Sequence, residues 1–105
     1  ENLFCGGTME TSSDIRLKTD IKNIEDSLNK ISQLNGVSFK WKKNDQYTYG
    51  VIAQEVEKVL PYAVSSVGEF KTVCYNSIIG LLIESVKEQQ KQIDELKEQV
   101  CKCNQ

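Results

Sequence analysis

The sequence predicts an α+β fold: a small antiparallel sheet with short helices, followed by a long C-terminal helix that forms a coiled coil. Three observations carry this. Apolar residues recur at helical spacing from Ile24 to Leu34, short alternating stretches separated by turn residues occupy 37–73, and a heptad of apolar residues starts at Ile79. Strands and short helices in mixed order, without repeated strand–helix–strand units, are the pattern of an α+β domain.

Residues 1–13 are small and polar, with Gly6 and Gly7 adjacent, and read as a loop or the tail of an upstream region. A first helix is expected from Asn23, which can cap it, with Ile24, Leu28, Ile31 and Leu34 on one face. Asn35-Gly36 stops it, the glycine suiting the left-handed position past a helix end. "VSFKW" alternates and places Val37, Phe39 and Trp41 on one face of a strand. "KKNDQ" is a charged turn, and "YTYGVIA" returns as a strand leading into the short helix "AQEVEKVL", ended by Pro61. Ile52, Val56 and Val59 are its core side chains. "YAVSSVGEFKTVCY" reads as a hairpin turning near Gly68.

Asn76 is the expected cap of the last helix. With Ile79 at position a, the a positions are Ile79, Val86, Ile93 and Val100, and the d positions are Leu82, Gln89, Leu96 and Cys103. After Val86 the apolar stripe narrows to a and d, the mark of a coiled-coil seam rather than a broad face docked on its own domain. Ile78 and Ile83 widen the stripe earlier, so the first turns also pack on the domain. β-branched residues at a with leucine at d lean towards two strands in a parallel coil, and Gln89 sets register at some cost in stability.

A chain of 105 residues is at most one small domain plus an extension. It does not begin with methionine and reads as a fragment of a longer polypeptide. The net charge of -2 gives no support to nucleic-acid or membrane binding. No apolar run approaches the roughly 18 residues that would span a bilayer, and the first ten residues have no signal-peptide character. The four cysteines, Cys5, Cys74, Cys101 and Cys103, lack zinc-site spacing and read as free thiols. With no histidine, neither a Ser-His-Asp triad nor a Cys-His dyad can be built. If the chain is an enzyme, its base must be a lysine or a carboxylate. "GVIAQEVEKVLP" is no phosphate loop, having one glycine and no Gly-Lys-Ser/Thr. No cofactor or metal is expected.

"SDIRLKTDI" at 13–21, "YGVIAQEVEKVLP" at 49–61 and "YNSIIGLLIESVKEQQKQIDEL" at 75–96 together resemble the intramolecular chaperone, or peptidase S74, domain. That domain sits at the C-terminus of phage tail spikes, tail fibres and endosialidases, with relatives in membrane-bound transcription factors of the myelin-regulatory-factor type. The resemblance covers roughly residues 13–100. It implies a homotrimer that helps the upstream β-rich fibre of the same polypeptide to fold and then cuts itself off. It implies a serine nucleophile, Ser13, and a lysine base, Lys18, with cleavage at Ser13-Asp14. It divides the chain into a tail over 1–13, a globular head over 14–75 and a coiled-coil helix over 76–105. It places the domain in the host cytoplasm during virion assembly, and the mature fibre in the tail. Trimerisation follows the resemblance, where the heptad alone leans to a dimer.

The chemistry sets conditions. Only about 0.04 % of an unperturbed lysine is neutral at pH 7. Burial, or a nearby cation such as Arg16, favours the neutral form, whereas Asp14 and Asp20 nearby would oppose it. Ile15, Leu17 and Ile21 offer apolar walls. A serine attacks its own carbonyl only through a four-membered ring, whereas attack on the preceding carbonyl, cutting Ser12-Ser13, passes through a five-membered one. A serine from another chain reaches either. On a strand, five residues separate Ser13 and Lys18 by about 16 Å on opposite faces. On a helix they diverge by roughly 140°. Either the chain bends sharply between them or the pair forms between subunits. Two other readings stay open: a trimerisation cap that never cuts, and an autoprocessing domain of a membrane-bound transcription factor.

Overall fold

A computed structural model describes residues 4–5, 8–9 and 11–103. The class is α+β with antiparallel strands and a long C-terminal helix, as the sequence predicts. The strands do not form one sheet. They make separate two-stranded ladders, each a local hairpin. The Gly6-Gly7 loop lies outside the described residues. The residues on either side of it pair as β1 (Phe4–Cys5) and β2 (Thr8–Met9), where the sequence suggests a loop or a tail without strands.

The first helix is shorter than its apolar spacing suggests. α1 runs over Ser27–Ser32, starting behind Asp26, which adopts a left-handed φ of 56°. Asn23 does not cap it. Its amide donates to Glu84 Oε1 on the last helix at 3.1 Å. Nor does Gly36 take the left-handed position, since Gly68 is the positive-φ glycine among the described residues. The helix unwinds instead through tight bonds from Gln33 N–H to the Lys30 carbonyl and Leu34 N–H to the Ile31 carbonyl, each 3.1 Å.

β3 (Val37–Lys40) and β4 (Tyr47–Gly50) pair with Phe39 opposite Thr48. Val37 and Phe39 face inward. Trp41 lies just past the strand, half-exposed, edge-on to the Phe39 ring at 5.0 Å. Gly50 lets both the Phe39 ring and the Tyr75 hydroxyl approach: a Cβ there would lie 3.1 Å from each. α2 (Ala53–Val59) buries Val56 and leaves Val59 half-buried. Ile52, expected in the core, is exposed, because it sits in extended backbone at the helix start, where its carbonyl accepts the N–H groups of Glu55 and Val56. A 3₁₀ turn, Pro61–Ala63, leads into β5 (Val64–Val67), which pairs with β6 (Phe70–Val73). Gly68, φ 61°, is the first of two central turn residues and the second is not left-handed, the type II′ pattern that suits a right-twisted hairpin.

α3 (Tyr75–Cys103) has 29 residues and is about 43 Å long at 1.5 Å per residue. Cys74 leads it in. Its N–H donates to the Ala63 carbonyl at 2.7 Å, and its own carbonyl accepts the Ser77 N–H at 3.1 Å. α1 packs on α3, with Ser27 and Leu28 bonded to Glu88 in its middle. Among the described residues, the buried apolar side chains are Val56, Ala63 and Leu81. So small a core leaves much surface: 9202 Å². A compact monomer of this mass exposes roughly 5,900 Å².

Candidate functional site

The segment after Ser13 is bent by its own side chains. The Asp14 carboxylate accepts the Arg16 backbone N–H at 2.8 Å, Arg16 Nε at 3.1 Å and Arg16 Nη2 at 2.9 Å. This caps a single 3₁₀ turn, Ile15–Leu17, closed by Leu17 N–H to the Asp14 carbonyl at 3.0 Å and Lys18 N–H to the Ile15 carbonyl at 3.1 Å. A 3₁₀ turn rises about 2.0 Å per residue instead of the 3.3 Å of a strand, and it rotates the chain. Lys18 Nζ thereby donates to Ser13 Oγ at 2.7 Å within one chain. The chain makes the sharp bend that an intrachain pair requires.

Electrostatics around the turn are set by the Asp14–Arg16 pair. Arg16 side-chain bonds, then its backbone N–H, hold the Asp14 carboxyl below the usual carboxylate range, and Asp14 raises the guanidinium. Arg16 was expected as a cation acting on Lys18. Its charge is instead matched by Asp14. Ser13 and Lys18 are exposed, and the side chains expected as apolar walls stand open, Ile15 and Leu17 at 72% exposure and Ile21 at 63%. The pair is hydrogen-bonded and open to solvent.

The segment is also held from upstream. Asn76, in the first turn of α3, donates from Nδ2 to Thr11 Oγ1 at 2.8 Å. The sequence gives no signal of this contact, since the partners lie 65 residues apart. Cys74, not Asn76, stands at the cap position of α3. Ser77's hydroxyl, then its N–H, hold the exposed Cys74 thiol below its usual range, with Asn76's N–H adding to them and slight burial opposing. Cys74, Cys101 and Cys103 are free, and the side chain of Cys5 lies outside the described residues.

α3 presents two faces. Leu81, Ser85 and Glu88 lie against the head, with Leu81 and Ser85 fully buried and Glu88 half-buried. The expected seam residues Ile79, Leu82, Val86, Ile93, Leu96 and Val100 are 45–61% exposed, and Gln89 is exposed among them. From residue spacing the two stripes are roughly 100° apart around the helix. The head therefore leaves the seam free.

Among the described residues, no cluster of His, Cys, Asp or Glu has the arrangement of a metal site, and no helix is long and apolar enough to cross a membrane.

A family model described as Peptidase_S74, chaperone of endosialidase, matches residues 13–65. The long tail fiber protein Gp37 of Enterobacteria phage K3 is 36% identical over 99 residues, an alignment covering 80% of this chain and 8% of the relative. The Gp37 of Salmonella phage S16 is 34% identical over 104 residues, covering 88% of the chain and 14% of the relative. Myelin gene regulatory factor-like A of Dictyostelium discoideum is 33% identical over 110 residues, covering 81% and 12% respectively. The chain thus spans no more than 14% of the length of these three relatives.

Proposed function

Because this chain belongs to the chaperone-of-endosialidase (peptidase S74) family, we propose that it is an intramolecular chaperone of a phage tail fibre that trimerises, assists the upstream fibre to fold and releases itself by autoproteolysis at Ser13-Asp14. The observation that carries the reading is the 2.7 Å bond between Lys18 Nζ and Ser13 Oγ, at the first residue of the family match.

In the proposed reaction the neutral Lys18 amine takes the Ser13 hydroxyl proton as Oγ attacks the scissile carbonyl. The tetrahedral adduct collapses, the C–N bond breaks, and the proton on Lys18 passes to the departing amine. Water then hydrolyses the ester, regenerating the hydroxyl. Cutting Ser13-Asp14 calls for the serine of another subunit, whereas a serine acting on its own chain cuts Ser12-Ser13. A fragment that begins with Asp14, not Ser13, marks the first route.

Assembly supplies what the lone chain lacks. A lysine works as a base only when neutral, and burial is what favours that form. Packing three copies along the exposed seam of α3 would draw the heads together and cover Ile15, Leu17 and Ile21. The roughly 3,000 Å² of surface above that of a compact monomer is ample for such packing. The cut then waits for the trimer. On this reading the domain acts in the host cytoplasm during virion assembly and the freed fibre goes to the tail, a reading supported by its likeness to long tail fibre proteins.

The test uses the full-length polypeptide that contains this chain. Ser13→Ala and Lys18→Ala each leave it uncut by mass spectrometry while light scattering still gives a trimer. Normal cutting by Lys18→Ala would refute the dyad.

A further inference from the structure

We propose that Asn76 is a positioning residue for the cut, gripping the chain upstream of Ser13 and tying that grip to the formation of α3. The proposal rests on the self-cleavage reading above and adds a residue to it.

The bond from Asn76 Nδ2 to Thr11 Oγ1, 2.8 Å, fixes the chain two residues before Ser13. On the other side, the Asp14–Arg16 bonds and the 3₁₀ turn fix the chain from Asp14 onward. Thr11 and Asp14 are three residues apart, at most about 11 Å of extended chain. Both candidate bonds, Ser12-Ser13 and Ser13-Asp14, therefore lie in a short span pinned at each end, with Lys18 Nζ on Ser13 Oγ between the pins. A segment held this way has few conformations left to lose on reaching the reactive one, and this is how positioning accelerates a reaction.

The location of Asn76 gives the grip a second property. It sits one residue into α3, whose start is fixed to the head by the 2.7 Å bond from Cys74 N–H to the Ala63 carbonyl. Its side chain is not used by the helix and points its amide at Thr11. The same helix carries the exposed seam through Val100. Whatever secures α3 in an assembled coil also holds the Asn76 amide in place. Thr11 leaves with the upstream fragment, so the contact is made to substrate and is broken by product release.

The experiment measures the cleavage rate of the full-length polypeptide with Asn76→Ala, Thr11→Val, Thr11→Ser and the double variant Asn76→Ala/Thr11→Val. One neutral hydrogen bond corresponds to about a fivefold change in rate. Each of Asn76→Ala and Thr11→Val is expected to slow cutting about fivefold. Thr11→Ser, which keeps the hydroxyl, cuts near the wild-type rate, and the double variant is no slower than the slower single one. Light scattering and the thermal midpoint are unchanged for Thr11→Val. Wild-type cutting by Thr11→Val, or effects that multiply in the double variant, overturns the proposal and leaves the Ser13–Lys18 reading intact. If Asn76→Ala fails to assemble, the two Thr11 variants decide alone, because Thr11 lies outside the head. A wild-type polypeptide that forms trimers and never cuts overturns both.

Discussion

Glu88 Oε1 accepts the hydroxyl of Ser27 at 2.9 Å, so that a carboxylate on the long helix ends a helix 60 residues earlier in the chain. The same oxygen takes the Leu28 N–H at 3.3 Å. α1 has no cap from its own side chains, because Asp26 makes none, and its first N–H groups would otherwise be short of partners. Ser27 is 3% exposed, so water cannot replace Glu88 as the acceptor for its hydroxyl. Glu88→Ala is expected to lower stability by about 1.5–3 kcal/mol, the range for hydrogen bonds to a charged group, and Glu88→Gln by less. Urea unfolding at one fixed protein concentration measures both. A loss below about 0.5 kcal/mol for Glu88→Ala would mean that α1 is held by packing alone.

Ile93→Asp places a charge at an a position of the narrow seam. Desolvating that charge in an assembled coil costs several kcal/mol, and the expected result is a monomer. If the cut waits for assembly, processing fails with it. Light scattering reports the mass and a gel reports the fragment. A monomer that still cuts would separate cleavage from assembly.

The Asp14–Arg16 pair predicts an acid-side behaviour. Since pairing lowers the Asp14 pKa in the folded chain, its contribution is complete above the ordinary aspartate value of about 3.9 and is lost only as pH falls through the lower folded value. The 3₁₀ turn therefore keeps its cap throughout the neutral range. Wild type and Asp14→Asn are expected to give cleavage profiles of the same shape between about pH 5 and 8. An acid limb in that interval, present in wild type and absent in Asp14→Asn, would show that Asp14 acts in the chemistry and not as a cap.

Removal of the chaperone is expected to make fibre folding a one-way event. While attached, the domain offers a route to fold and, by microscopic reversibility, a route to unfold. A processed fibre, once denatured, should not recover trimer on dilution, whereas a Ser13→Ala fibre should recover some, and the processed form should unfold no faster. Parallel refolding and unfolding kinetics check this. Equal recovery of the two forms would mark the domain as a clamp and not a folding catalyst.

The sequence was most legible where structure is local. The long C-terminal helix, the hairpin turning at Gly68 and the need for a bend if Ser13 and Lys18 are to meet in one chain depend on neighbours within a few residues. The misses involve partners far along the chain. Asn23 and Asn76 have the chemistry of helix caps, and both spend their amides elsewhere, on Glu84 and Thr11. Nothing in a local pattern shows that a better acceptor will arrive from 60 residues away. Ile52 looked like core because it is apolar beside Val56, but it precedes the helix, and its side chain leaves the buried face. The division into separate hairpins was likewise invisible, since alternation reports that a strand has an inner face and not which strand lies beside it.

The exposed Gln89 has a consequence for the whole assembly. In the proposed trimer it forms one polar layer in an otherwise apolar seam. Sliding one chain by a heptad moves it about 10.5 Å along the axis and sets a glutamine against apolar side chains. That mismatch works as a vernier mark. It penalises an axial stagger before any fibre strand has formed, so three upstream chains would begin winding from matched starting lines.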